Sequence, residues 1–308
     1  MSGNQGLIPL YEVRFSTQLE LKLQQRGSML RSTVREGMFT GAKIASPIQQ
    51  LGAVNTRAPA GRFAPLDIQP NDYTRRWISP LDRELPQLVD SFDELKTQVD
   101  VKGELAEAAA IACGRDWDDA IIAAATGTAQ IGADAGSLSN ETFDTTAFRV
   151  AVNFKAGASV GMTAAKIIEA RRILRKYHND LDNDPVTLVV GSQQESDMLN
   201  QVEFVSKEYG DRPVLENGEL RRFMGFNIKV MERLPIVSSN VRGCLAYAKS
   251  GMHLGMWQDV NTNISIRRDL SSHPYQVYTK HSYGATRTQP GKVIQILAAD
   301  TTGADITP

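Results

Sequence analysis

Gly103–Ala125 reads GELAEAAAIACGRDWDDAIIAAA, and the rest of the chain can be placed around it. The run is rich in Ala, Glu and Leu, holds no Pro, and has one interior glycine, Gly114, so it reads as helix. Leu105, Ala108, Ala109 and Ala112 form one apolar stripe; Trp117, Ala120, Ile121 and Ala124 form a second, rotated by roughly a quarter to a third of a turn. This leaves two readings: one helix bent near Gly114, or two helices in sequence. Glu104, Glu107, Asp116, Asp118 and Asp119 fall mostly off these stripes, which gives each half an acidic face. The small Ala side chains let another backbone lie close.

Working outward, residues 1–34 read as an extended arm with one short ordered piece, Phe15–Arg26, strand or helix. In residues 35–80, Gly37, Gly41, Pro47, Gly52, Pro59, Gly61, Pro65, Pro70 and Pro80 interrupt every element. Two extended limbs remain, Val34–Leu51 and Ala64–Ile78, joined by the tip GAVNTRAPAGRF. Such a segment cannot make its own core, yet Phe39, Ile44, Ile48, Leu66, Ile68, Tyr73 and Trp77 are many anchors for a free linker. A projection that docks on another chain fits both facts. From Leu81 the composition turns acidic and helix-favouring, with a capping-box spacing at Ser91–Glu94.

After the helix, Thr126–Val160 reads as a connection with a strand near Ala147–Phe154. A mixed segment follows: a helix capped by Thr163 and running to about Tyr177, strand Val186–Val190, helix Ser192–Asn200, then strands Phe226–Val230 and Cys244–Ala248. Between them, Asn217-Gly218 marks a turn. Ile264–Arg268, Tyr275–Ser282 and Val293–Ala298 read as strands of an antiparallel sheet, and residues 301–308 as a loose tail.

With 42% hydrophobic residues, the 308-residue chain can bury cores in two domains. Its net charge of −1 lacks the strongly basic footprint of a nucleic-acid wrapper. Charge is nonetheless uneven: residues 1–81 hold ten Lys and Arg against five Asp and Glu, residues 82–120 four against eleven. Cys113 and Cys244 are far apart and read as reduced, buried thiols. No secretory leader and no apolar run near eighteen residues is visible, so no membrane association is expected.

Catalytic and ligand motifs fail one by one. His178, His253, His273 and His281 lack partners at metal-ligand spacing. Asp180–Asp184 begins like a calcium loop, but Pro185 replaces the turn glycine and Gly191 the bidentate Glu. Gly157–Gly161 lacks the full dinucleotide pattern, and Gln289–Lys292 is not a phosphate loop. No enzyme activity, cofactor or metal is therefore expected.

Five runs in order carry a resemblance: Leu23-Gln24-Gln25-Arg26-Gly27-Ser28; Gln50-Leu51-Gly52-Ala53-Val54; Arg75-Arg76 ahead of Leu81; Gly114-Arg115-Asp116-Trp117-Asp118-Asp119-Ala120; and Gly127-Thr128-Ala129. Together they resemble the major capsid proteins of tailed phages. The resemblance implies an α+β fold of the Hong Kong 97 type. Its parts would be an N-terminal arm (1–34), an extended loop (35–80), a peripheral domain with a spine helix (81–150 and 252–300), an axial domain (155–250) and a tail (301–308). It also implies pentamers and hexamers of this chain in an icosahedral shell around double-stranded DNA, a virion location, and assembly in the host cytoplasm. A separate scaffolding protein, or else a scaffolding region already cleaved from the N-terminus, is implied, with a portal and a decoration protein as further partners and DNA touched weakly on the inner face. An encapsulin-like nanocompartment shell is the alternative, and an α/β enzyme with an undetected site a third reading. Expected intersubunit contacts are Arg75, Arg76 and Trp77 on the loop, Asp116, Asp118 and Asp119 on the spine, and Asn217 at the axial tip, with arginines of one copy facing aspartates of another.

Overall fold

The computed structural model describes residues 24–41, 43–52, 54–56, 58, 73–90, 101–201, 215–216 and 219–301. Strands in the first part are β1 (Arg35–Met38), β2 (Ala45–Leu51), β3 (Tyr73–Ile78) and β4 (Leu81–Val89), followed by helix α1 (Val101–Thr126). Then come β5 (Ala129–Gly132), β6 (Ser139–Glu141), β7 (Arg149–Val150), helix α2 (Ala164–Lys176), β8 (Val186–Val190) and helix α3 (Ser192–Leu199). Six short or middle strands follow: β9 (Leu215–Glu216), β10 (Glu219–Leu220), β11 (Arg222–Phe223), β12 (Phe226–Val230), β13 (Ile236–Ser238) and β14 (Val241–Ala248). The chain closes with β15 (Met252–Ile266), β16 (Tyr275–Arg287) and β17 (Val293–Ala299).

The spine is one helix, α1, and Gly114 does not break it. A Cβ at Gly114 would lie 2.6 Å from the carbonyl carbon of Gly27 and 2.7 Å from the amide of Ser28. Gly114 is thus required by close approach of the arm's backbone, not by a bend. Trp117, Ile121, Ile122 and Ala125 sink into the main core. Each large apolar side chain fully buried there contributes about 1.5–3 kcal/mol. At the helix C-terminus, Arg287 is fully buried and its Nη1 donates to the carbonyls of Ala125 and Gly127, both at 3.0 Å. A cation there satisfies orphan carbonyls and suits the helix dipole.

Two four-stranded sheets accompany the spine. One, in the order β1-β15-β16-β4, packs its central strands on α1. The other, β2-β3-β5-β6, is built at the root of the extended loop. Here Leu81–Val89 departs from expectation: it is a strand, paired with β16 from Leu81↔Tyr283 to Val89↔Tyr275. Pro86 sits mid-run, where a helix would lose a hydrogen bond, and an edge strand tolerates it. The expected capping box at Ser91–Glu94 lies outside the described residues. Thr126–Val160 is more than a connection, since it supplies β5 and β6 to the loop's sheet and β7 to the third sheet. Of the strand expected at Ala147–Phe154, only Arg149–Val150 forms.

The third sheet runs β11-β12-β8-β14-β17-β7, with β13 also paired to β14. β17 was expected with the peripheral strands, yet it pairs with β14 from Val241↔Ala299 to Tyr247↔Val293. Its nearly unbroken apolar run, VIQILAA, is that of a strand covered on both faces. Helix α2 follows expectation: Thr163, in extended conformation, caps it by accepting from the Lys166 amide at 3.4 Å. Lys166 itself is fully buried, and its Nζ donates to the carbonyls of Val160, Gly161 and Leu297 at 2.8, 2.8 and 2.9 Å. Burial pulls this ammonium down to about 8. No described helix is long and apolar enough to cross a membrane.

Candidate assembly surface

The arm and the spine meet at Asp118. Its Oδ1 accepts from the Ser28 hydroxyl at 2.5 Å and the Leu30 amide at 3.0 Å, and its Oδ2 from the Met29 amide at 3.0 Å and from Gln25 Nε2. Asp118 is fully buried, so it is an internal receptor for the arm and not an exposed acceptor for another subunit. The sequence signal read as an acidic face was misleading, because a carboxylate on a helix flank can also collect the amides of a crossing strand. Arg115 Nη1 adds a bond to Gln24 Oε1 at 2.5 Å, and the Thr33 hydroxyl lies 2.7 Å from that of Tyr247. Leu30 and Val34 are buried, so the end of the arm belongs to the core.

Arg76 is likewise turned inward. It is 5% exposed, and its guanidinium pairs with Glu141 on β6. Trp77 is buried and donates from Nε1 to the Gly132 carbonyl at 3.0 Å. Both therefore fix the root of the loop to β5 and β6 within this chain, which leaves little of either side chain to meet another copy. Phe39, read as a docking anchor, packs on Trp257 with ring centroids 5.2 Å apart. Exposure along β3 changes from one end to the other and does not alternate: Tyr73 and Thr74 are exposed, Arg75 is partly exposed, and Arg76, Trp77 and Ile78 are all buried.

Asp119 receives a two-pronged bond from Arg233, Nε at 2.7 Å from Oδ1 and Nη2 on Oδ2, which ties the spine to the third sheet's loops. That bond raises the Arg233 guanidinium above its ordinary value. Asp116 lies 3.5 Å from His281 Nε2. His281 and His253 are both buried against the spine-side sheet; burial lowers both, with Arg35 adding to the effect at His253, which falls to about 4. Among the described residues no cluster of three or more metal-binding side chains is present. Asn217 lies outside the described residues; the strands beside it, β9 and β10, pair Glu216 with Glu219 and Leu215 with Leu220.

Exposed apolar groups gather at one end of the β2–β3 pair, away from its buried root. Leu51, Val54 and Tyr73 are 56%, 60% and 61% exposed, large apolar groups at the open end of the β2–β3 pair. Burying them costs little ordering at the root, because Arg76, Trp77 and Ile78 already fix it. A groove of about 740 Å³ runs between the arm and the third sheet, lined in part by Met29, Thr33, Thr187, Asn227 and Lys229.

A family model described as phage capsid protein matches residues 7–300. No curated protein matches this chain. Among solved structures, the capsid of cyanophage P-SCSP1u is similar with a TM-score of 0.72 at 12% identity, covering 98% of this chain and 97% of that one. The capsid of cyanophage Pam1 also gives 0.72 at 12% identity, over 97% of this chain and 99% of that one. The capsid of Ralstonia phage GP4 gives 0.68 at 10% identity, over 96% and 97%. At such identities the likeness is one of fold.

Proposed function

The chain belongs to the phage capsid protein family, and from that premise we propose that it is the major capsid protein, the subunit that assembles with copies of itself into the icosahedral head shell around double-stranded DNA. The observation that supports this most is coverage: the matched fold spans arm, projection, spine and third sheet, with 97% or more of each of the three capsid chains included. Its role is structural. The projection, rigid at its root and apolar at its far end, docks on a neighbouring subunit. Of the residues first assigned to intersubunit contact, Arg75, Asp116, Asp119 and Asn217 stay in this proposal. The turn at Asn217 lies at the symmetry-axis end of the axial domain, where identical tips meet.

Further partners in this reading are a separate scaffolding protein, a portal, a decoration protein, and DNA held weakly on the inner face; assembly takes place in the host cytoplasm. The test is the nucleic-acid content of purified particles. Closed shells that package DNA in an infected cell support the capsid reading, shells that carry only protein cargo support a nanocompartment, and a small discrete oligomer under all conditions overturns both. A cysteine at position 217 should cross-link between subunits of such shells, and its failure would move that turn off the axis.

A further inference from the structure

We propose that the outer edge of β15 over Asn261–Ile266 accepts a strand from a second copy of this chain. The inference rests on the shell reading and names one surface by which copies join.

β15 pairs with β16 along one side, in unbroken register from Asn261↔Lys280 to Ile266↔Tyr275. On its other side β1 pairs only with His253–Met256. Among the described residues nothing pairs with the remaining edge. The direction of its backbone groups follows from one bond: Arg267 donates its amide to the Pro274 carbonyl, toward the β16 side. Counting back with a period of two, Asn261, Asn263 and Ser265 face β16, and Thr262, Ile264 and Ile266 turn N–H and C=O outward. Six residues give about 20 Å of free edge.

The two margins of this sheet are treated differently. β4, on the far side, carries Pro86 and the charges Asp82, Arg83 and Glu84, features that block strand addition. The first part of β15's open side is guarded as well, by bulges between Met256 and Asn261 and by Arg31, 3.8 Å from Asp259. Asn261–Ile266 has no proline, no charge and no bulge. Ile264 and Ile266 stand 47% and 46% exposed, on the face that carries fully buried Val277. An added strand would pair the outward groups and cover both isoleucines. Backbone pairing is indifferent to sequence, so in a shell the copy next door is the partner that arrives first.

Hydrogen exchange tests this on the full chain, as dilute free subunit and as purified shells. The expected result is that amides of Thr262, Ile264 and Ile266 exchange freely in the subunit and at least ~100-fold slower in shells, with Asn263 and Ser265 protected in both. Shells whose outward amides exchange as fast as in the subunit overturn the inference and leave the shell reading intact. Protection already present in the subunit also overturns it, because the chain itself then covers the edge. Failure of the parent chain to form shells overturns both. Ile264→Pro removes an outward donor that the β15–β16 ladder does not use. It should keep the subunit's Tm within a few degrees and abolish shells; normal shells from it contradict the inference.

Discussion

The carboxylate of Asp118 accepts the amide of Leu30 at 3.0 Å, and through this bond the spine holds the arm although 88 residues separate the two in sequence. Asp118→Ala leaves the buried Leu30 amide and its neighbours without an acceptor. Each unsatisfied buried donor costs about 1–3 kcal/mol, so the loss should reach at least ~2 kcal/mol by urea unfolding of the free subunit. A change below ~0.5 kcal/mol would show that the arm is not held there.

Gly114→Ala makes an opposite-sign test of the same junction. Helix propensity alone favours Ala by about 1 kcal/mol. The added methyl, however, meets the backbone of Gly27 and Ser28 at 2.6 and 2.7 Å. Net destabilisation of about 1–3 kcal/mol is expected from that overlap. Thermal melting decides between the two signs.

Arg75 and Arg76 should separate cleanly. Arg76→Ala removes the partner of Glu141, itself partly open to water, and a buried side chain from the root of the projection, at a cost of about 1–3 kcal/mol. Arg75→Glu, at a partly exposed position with no side-chain ion pair among the described residues, should change subunit stability by less than about 0.5 kcal/mol. Its effect belongs to assembly, measured as shell yield at low and moderate salt. Unchanged yield at both would remove Arg75 from the interface.

Acid should weaken the subunit through His253. Neither of its ring nitrogens has a hydrogen-bond partner, and protonation would place a buried cation beside Arg35. The folded value, about 4, lies below the ordinary 6.5, so the folded chain binds fewer protons than the unfolded one. Stability from this group is complete above about pH 6.5 and falls as pH drops toward about 4. His253→Leu should lose about 2 kcal/mol less than the parent between pH 7 and 4.5. Equal losses would mean that His253 is solvated in the native chain.

Much of the fold was legible because local signals and tertiary demands agreed. Thr163 had the chemistry of a cap, Val186–Val190 the run of a buried strand, and the spine the composition of a long helix. The failures share a cause, namely partners distant in sequence. Leu81–Val89 looks acidic and becomes a strand because β16, nearly two hundred residues on, offers a matching ladder. Val293–Ala299 follows the peripheral strands in sequence but joins β14, whose buried apolar faces its own run fits. Site reading suffered most. Arg76 and Asp118 look like surface charges in sequence, yet each has an internal acceptor or donor set that only folding assembles. Period-two alternation along β3 would not have separated Arg75 from Arg76, because Arg76, Trp77 and Ile78 are buried in succession.

A chain that builds closed shells through a projection fixed at its root and docked on a neighbour needs the tip of that projection. Negative-stain imaging of the purified parent beside a variant lacking Gly52–Arg62 shows whether it does. Closed shells are expected from the parent, and from the deletion a folded subunit, by circular dichroism, that forms none. A parent that yields only a small discrete oligomer, or a deletion that forms normal shells, would contradict this mode of assembly.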